Sequence, residues 1–370
     1  MKKRKTLIID AIALLGSLSG IGRYNYEIIE RLNQDSFYSL SYFYGYISKK
    51  LLLPNSTSQT GKLHAFITQY PRLKSITRRL ARLLTRSYIS KYNLYWQPNF
   101  IPLDSIHAHI TVATIHDFSW ELYPEFHPKE RIDYFKKNFY SSINLCDHII
   151  TGSHYTKQEI IERTKISAEK ITVIYHGIDH KVFFPKPKRT KSQHFILAVG
   201  SIEPRKNLKN LLLAYNMLDE SLKKQYHLIL VGAAGWKNQD IMELIAAMQP
   251  FVSYSGFVDD ETLAQLYSDA TLFVYPSFYE GFGIPPLEAM ASGTPVISSN
   301  ASTLPEVCAD AAYYIDPNDT EAISMAMNIF LNNQSLQEDY IKKGLMRAKF
   351  FSWEKSGQEH NKLFESLLQS

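Results

Sequence analysis

Cysteine is nearly absent from this chain. Cys146 and Cys308 are the only two in 370 residues, too few for a disulfide framework or for a cysteine-rich zinc or iron–sulfur site. Long apolar runs are missing as well: none reaches the roughly 18 residues that a membrane-spanning helix needs. No short internal repeat is visible, which argues against a solenoid. The start, Met1-Lys-Lys-Arg-Lys5, is positive like a signal peptide, but the stretch from Thr6 to Gly16 is interrupted by Asp10 and lacks a small-residue cleavage site. It therefore reads as a buried first strand rather than a leader. These absences predict a cytoplasmic protein with free thiols, and leave attachment to the inner face of the cytoplasmic membrane open.

What is present is ordinary for a folded protein. Hydrophobic residues make up 45% and charged residues 21%, which excludes a disordered, collagen-like or low-complexity chain. The length corresponds to two domains, or three. Charge is unevenly spread. Residues 1–100 carry 16 Lys and Arg against 4 Asp and Glu, so the net charge of +5 divides into +12 there and −7 in the remainder. A basic front suggests an anionic partner (a membrane, a phosphate or a nucleic acid) or a plain solvated basic face.

Short β-branched runs alternate with helical patterns throughout. Strands are expected at Thr6–Asp10, Ser39–Tyr44, Leu94–Trp96, Thr111–Ile115, His148–Thr151 and Ile171–Tyr175. A second set is expected at Phe195–Val199, His227–Val231, Val252–Tyr254, Leu272–Tyr275, Pro295–Ser298 and Ala312–Ile315. Runs this short, apolar on both faces and separated by helices, predict parallel sheets covered on both sides. Two such sets predict an α/β protein with two doubly wound, Rossmann-like domains. The stretch from Phe184 to Gln193, rich in proline and charge, reads as the linker between them. Ligands of such sheets sit at the carboxyl ends of the strands, so the residues that follow each strand are the ones to inspect.

Two segments stand out. After the strand ending at Tyr275, the sequence Pro-Ser-Phe-Tyr-Glu280-Gly-Phe-Gly-Ile-Pro-Pro-Leu-Glu288 leads into a helix that Pro285 or Pro286 can open and Gly293 can close. Gly281 and Gly283 leave the preceding loop bare for a ligand, and free amides at a helix start attract anions. Glu280 and Glu288 would repel a phosphate placed on them. They fit neutral hydroxyls on either side of it, a sugar and a ribose, unless they are a surface charge and a first-turn acid. In the second segment, Gly200-Ser-Ile-Glu-Pro-Arg205-Lys206-Asn207, a helix is expected to begin at Asn207 as its N-cap. Arg205 and Lys206 then sit at the positive end of a helix, where cations are disfavoured unless something negative joins them. A diphosphate gripped by both fits, and so does pairing with Glu203 or another carboxylate.

The segments "GSIEPRKNL", "YPSFYEGFGIPPLEAMASGTPVISS" and "LPEVCADAAYYIDP" resemble the carboxyl-terminal half of family 4 retaining glycosyltransferases of the GT-B fold, down to the spacing of Glu280 and Glu288. "GIGRYNYEI", "TIHDFSW", "TGSHYTKQEI" and "VIYHGID" extend the resemblance through the amino-terminal half. The resemblance implies that Arg205 and Lys206 bind the donor diphosphate and assist its departure. It implies that Glu288 holds the ribose, that Glu280 holds the donor sugar, and that the amides of Phe282, Gly283 and Ile284 face sugar and phosphate. The turn Gly256-Phe257-Val258 would cover the nucleobase, and His116 would reach the donor sugar or the reacting centre; the alternative for His116 is a capping or core histidine. The loop holding Gly20 and Gly22 would lie on the acceptor and phosphate side. It is not a nicotinamide fingerprint, because Asn25 stands where the last glycine would be.

The resemblance further implies a domain of residues 1–185 joined by a C-terminal helix over 354–370, facing a nucleotide-sugar-binding domain of residues 186–353. No Asp-x-Asp follows a strand, and His107-Ala-His109 lacks a third ligand, so no metal and no cofactor is expected; the sugar nucleotide is a substrate. Residues Arg72–Arg86 combine helical apolar spacing with six Lys and Arg. They either lie on an anionic membrane surface or pack as an ordinary surface helix. The segment from His116 to Phe135 resembles bacterial O-antigen mannosyltransferases, which points to GDP-mannose as donor and a lipid-linked oligosaccharide or saccharide as acceptor. A UDP or dTDP sugar, a nucleotide-sugar epimerase and a two-lobed solute receptor are the competing readings. No nucleic-acid recognition module is present.

Overall fold

The computed structural model describes residues 4–16, 20–52, 92–189 and 194–369. The basic stretch Arg72–Arg86, residues 17–19 of the first glycine loop and the end of the proline-rich stretch, 190–193, lie outside the described residues. Two sheets organise the molecule. The first contains β1 (Lys5–Asp10), β2 (Tyr38–Phe43), β3 (Ile47–Ser48), β4 (Tyr92–Gln97), β5 (Ala108–Ile115), β6 (His148–Thr151) and β7 (Ile171–Val173), in the order β3-β2-β1-β4-β5-β6-β7. The second contains β8 (His194–Val199), β9 (Tyr226–Val231), β10 (Val252–Tyr254), β11 (Leu272–Tyr275), β12 (Val296–Ser299) and β13 (Ala312–Ile315), in the order β10-β9-β8-β11-β12-β13. All neighbours are parallel except β2 and β3. The two-residue β3 is the strand that the sequence pattern does not announce. The first strand, expected at Thr6–Asp10, begins one residue earlier at Lys5, and the apolar residues that follow it form a 3-10 helix over Ile12–Leu15.

Alternation along the central strands builds a layer on each face. In the second sheet Ile196, Leu228, Leu230, Leu272 and Val274 enter one core. Their neighbours Phe195, Leu197, Val231 and Phe273 enter the other. Each fully buried side chain of this kind contributes roughly 1.5–3 kcal/mol. In each sheet the strand order reverses at one place, between β1 and β4 and between β8 and β11. These are the switch points at which doubly wound sheets bind ligands.

The chain crosses between the lobes twice, and the crossings lie side by side. Ile178 bridges Ser352, and a Cβ on Gly177 would lie 2.0 Å from the Trp353 backbone nitrogen. The crossing therefore precedes the proline-rich stretch read as the linker. Phe183 is already in the core of the second lobe, and the amides of Lys186 and Arg189 donate to Ser268 and Asp269 of that lobe. After the second crossing, the helix Trp353–Gln369 packs back on the first lobe. Trp353, Leu363, Phe364, Leu367 and Leu368 join Leu7, Tyr24, Ile28 and Leu32 in one core. His360 pins this helix. Its Nδ1–H donates to Ser356 O at 2.7 Å, so its Nε2 accepts the Tyr24 hydroxyl at 2.7 Å. Burial pushes the imidazole down to about 4 and keeps it neutral.

Candidate active site

The second lobe contributes two loops from its switch point. After β8 a 3-10 turn, Pro204–Lys206, carries the two cations, and the helix Leu208–Asn216 follows. Asn207 stands between them in the left-handed region, φ 57°, and its side chain caps no helix amide. Asn207 nevertheless stands at the expected N-cap position, its carbonyl accepting the Leu211 amide at 3.3 Å. The Asn207 Nδ2 instead donates to Pro276 O at 3.0 Å and Pro317 O at 2.6 Å, tying the loops after β11 and β13 to the cationic turn.

The loop after β11 leads into the helix Ile284–Ala291, with proline in its first turn as expected. Gly283 is at its N-cap with φ 101°, and no side chain caps its first amides. The bareness of the two glycines, however, serves protein contacts. A Cβ on Gly281 would lie 2.0 Å from the His116 carbonyl of the first lobe, and one on Gly283 would lie 2.6 Å from Leu304. The room expected for a ligand at these two Cα atoms is filled by the protein itself.

Between the two loops lies a compact charge cluster. Glu280 accepts from Lys206 Nζ at 2.7 Å and the Tyr275 hydroxyl at 2.9 Å through Oε1, and from Arg205 Nη1 at 2.8 Å through Oε2. Arg205 also donates to Glu203 at 2.7 Å and to Tyr279 O at 2.8 Å. The negative partner that the helix end requires is supplied here by carboxylates, the second of the two pairings open at the level of sequence. Burial alone would raise the Glu280 carboxyl, but Arg205 and Lys206 outweigh it and hold it down at about 2. Burial pulls Lys206 below its ordinary value, against the opposing pull of Glu280. For Arg205 burial is overcome by Glu280 and Glu203, and the guanidinium stays charged.

Glu288 lies past the first helical turn, not within it as a first-turn acid would. It is half-buried and accepts the Tyr267 hydroxyl at 3.1 Å. Burial pushes its carboxyl up to about 7. Nearby, Arg23 of the first lobe pairs with Asp260 of the second. Gly256, with φ 69°, follows β10; the Phe257 ring is 63% exposed, and Val258 packs on the second-lobe core.

From the first lobe His116 follows β5, buried among the rings of Tyr24, Phe100 and His176 at 5.2, 5.4 and 5.7 Å. Burial lowers its pKa and keeps it neutral. Its Nε2 lies 2.8 Å from Pro98 O. A carbonyl only accepts, so Nε2 carries the proton and Nδ1 is the acceptor atom. Gly20, with φ 52°, starts the helix Ile21–Asn33, and Gly22 is buried one residue inside it. His107 and His109 are exposed at the start of β5. Among the described residues no group of three His, Cys, Asp or Glu is placed to hold a metal ion.

Several residues at the site were not singled out from sequence. Tyr275 and Tyr279 precede Glu280 within the quoted motif. Glu159 lies in "TGSHYTKQEI" and His176 in "VIYHGID". Each was in view as part of a motif. The pairings of Tyr279 with Glu159 and of His176 with Phe282 across the lobes were not, because no spacing rule links residues more than a hundred positions apart.

Two family models cover most of the chain. Residues 18–182 match the model described as Glycosyltransferase Family 4, and residues 179–346 match that described as Glycosyl transferases group 1. The O-antigen chain mannosyltransferase B of Escherichia coli is 35% identical over 357 residues, which span 91% of this chain and 93% of that protein. The O-antigen chain mannosyltransferase RfbU of Salmonella typhimurium is 32% identical over 218 residues, 58% of this chain and 59% of that one. Among solved structures, a sucrose-phosphate synthase from Thermosynechococcus elongatus superimposes with a TM-score of 0.73 at 19% identity, covering 99% of this chain and 100% of its own. That last likeness is one of fold.

Proposed function

The chain belongs to the family 4 glycosyltransferases of the GT-B fold, and from that premise we propose that it transfers mannose from GDP-mannose to a lipid-linked or saccharide acceptor during assembly of a bacterial surface polysaccharide. One observation carries the chemistry: Arg205 and Lys206 converge on a single carboxylate at the second-lobe switch point. A donor diphosphate is a stronger anion than Glu280 and takes over the two cations. Glu280 is then released toward the hydroxyls of the donor sugar. The similarity to O-antigen mannosyltransferases supports the choice of sugar and process.

The reaction follows from the charges. As the bond from sugar to diphosphate breaks, negative charge grows on the departing phosphate, and Arg205 and Lys206 stabilise it from fixed positions. The amides of Phe282, Gly283 and Ile284 at the helix start add to this field. The sugar becomes oxocarbenium-like, and the acceptor hydroxyl attacks from the face that the phosphate leaves, retaining configuration. The freed phosphate takes the hydroxyl proton. His116 Nδ1 accepts a hydrogen bond from a donor-sugar hydroxyl. Glu288 binds the ribose and Phe257 stacks on the base, with Gly20 and Gly22 on the acceptor side. No helix among the described residues is long and apolar enough to cross a membrane. We assign any contact with the inner membrane face to the basic stretch Arg72–Arg86.

Thermal-shift titration with GDP, UDP and dTDP sugars, followed by a transfer assay, tests the reading. GDP-mannose is expected to raise the melting temperature most and to be consumed in the presence of acceptor. A shift with a UDP sugar and none with GDP-mannose overturns the donor assignment.

A further inference from the structure

The residue immediately before Glu280 has its two ends in different lobes. The Tyr279 backbone carbonyl accepts from Arg205 Nη1 at 2.8 Å, inside the charge cluster. Its phenol reaches the first lobe. There the hydroxyl accepts the Phe118 amide at 3.0 Å and donates to Glu159 Oε2 at 2.6 Å. Tyr279 is 2% and Glu159 6% exposed, so both bonds are shielded from water. Phe118 lies two residues after His116, and Glu159 lies on the helix His154–Thr164. One hydroxyl thus joins the His116 segment, that helix and the Glu280 loop. The next residue reinforces the seam. Gly281 O accepts from Ser153 Oγ at 3.3 Å, and the Gly281 Cα lies against the His116 carbonyl.

We infer that Tyr279 and Glu159 form a positioning pair that sets the Arg205–Glu280 cluster in register with the first lobe when the lobes meet. The pair touches no reacting atom. It acts through the loop: the phenol fixes where the Tyr279 carbonyl lies, and that carbonyl and Glu203 are the acceptors that still orient the Arg205 guanidinium once the donor has released Glu280. A guanidinium held by fixed acceptors needs no reorganisation as charge develops on a leaving group. This inference rests on the donor-diphosphate reading above. It adds that correct alignment is available only in the joined state of the lobes, so binding of the donor to the second lobe alone does not depend on the pair.

Steady-state kinetics separate these effects. Tyr279→Phe keeps the ring and removes the hydroxyl. Its kcat is expected to fall at least about tenfold, the effect of losing a buried hydrogen bond to a charged acceptor, while the donor KM stays within about twofold. The share of donor lost to hydrolysis is expected to rise, because a loosened seam admits water. Glu159→Leu is expected to match it, and the double variant to be no worse than the poorer single one. Glu159→Gln, which keeps an acceptor oxygen, is expected to retain most of kcat. Wild-type kcat in Tyr279→Phe, or additive losses in the double variant, overturns the pairing. Amide hydrogen exchange gives a readout independent of the substrate. Both Tyr279→Phe and Glu159→Leu are expected to raise exchange across 277–283, and unchanged exchange overturns the inference. A wild-type protein that turns over no sugar nucleotide, with exchange still raised in the variants, sinks the donor reading and upholds the seam.

Discussion

Arg205, Lys206 and Glu280 neutralise one another in a buried cluster, with Glu203 as the fourth member. Removing one member leaves its partners as uncompensated buried charge. Under the proposed reaction, Lys206→Ala and Glu280→Ala each lower kcat by about 100- to 1000-fold, measured as sugar transferred under saturating donor. Circular dichroism is expected to show the fold intact, and full turnover in either variant removes its assigned role. Glu159 presents a separate residue-scale effect. Burial raises its carboxyl to about 7, against the hydrogen bond from Tyr279 and the charge of Arg163, with Asp117 and Glu162 adding to the rise. A carboxyl raised in the folded state contributes stability below about pH 4.5 and loses it as pH climbs toward 7. Glu159→Gln removes that loss. Its stability relative to wild type is therefore expected to improve between pH 5 and pH 8, by at most about 3 kcal/mol. Urea unfolding at the two pH values measures this, and a difference that shrinks with pH would contradict it.

At the scale of elements, the helix His154–Thr164 is one first-lobe part that meets the second lobe. Ser153 caps it by accepting the Thr156 amide at 3.1 Å. Its first two amides, His154 and Tyr155, donate to Glu306 of the second lobe at 2.7 and 2.9 Å. A carboxylate is favoured at the positive end of a helix, so one lobe completes the helix cap of the other. Arg347 in turn donates to the Glu306 carbonyl at 2.7 Å. Beside this contact the Glu280 loop approaches through Gly281, where a side chain would meet the His116 carbonyl. Gly281→Ala is therefore expected to push the loop off the first lobe and to lower kcat at least about tenfold, as misplacement of a reacting group does. Transfer by the purified variant checks this, and a wild-type rate would show that the close approach is dispensable.

For the whole molecule, the helix Trp353–Gln369 is what returns the end of the chain to its beginning. Phe364 is fully buried beneath it, against Trp96 at 5.6 Å. Phe364→Ala leaves a cavity at that seam and is expected to cost about 3–5 kcal/mol, read by chemical denaturation; a loss below about 1 kcal/mol would mean that the helix contributes little to the first lobe. The paired crossings at Gly177–Ile178 and Ser352–Trp353 place the pivot between the lobes next to this helix. Residues 184–189 of the proline-rich stretch that composition marks as a linker belong to the second lobe, held to it at Lys186 and Arg189.

Periodicity was enough to locate twelve strands, because a strand buried on both faces leaves a short, mostly apolar run between helical patterns. Local chemistry was enough to single out Arg205, Lys206, Glu280 and Glu288, since a cation beside a helix start and an acid beside a glycine loop are each anomalies within a few residues. The two-residue β3 escaped because an edge pairing that short leaves no pattern. Asn207 was legible as an N-cap position, but its side-chain partners were not, because they are Pro276 and Pro317 rather than amides of its own helix. The bareness of Gly281 and Gly283 was visible, but what fills it was not. Sequence by itself thus determined which residues carry charge and which strands carry them, both being set by neighbours along the chain. Only the tertiary structure decided that Glu280 meets Arg205, because β8 and β11 become neighbours at the switch point of one sheet, and that Tyr279 meets Glu159 and His116 meets Gly281, because those partners come together only when the two sheets face each other.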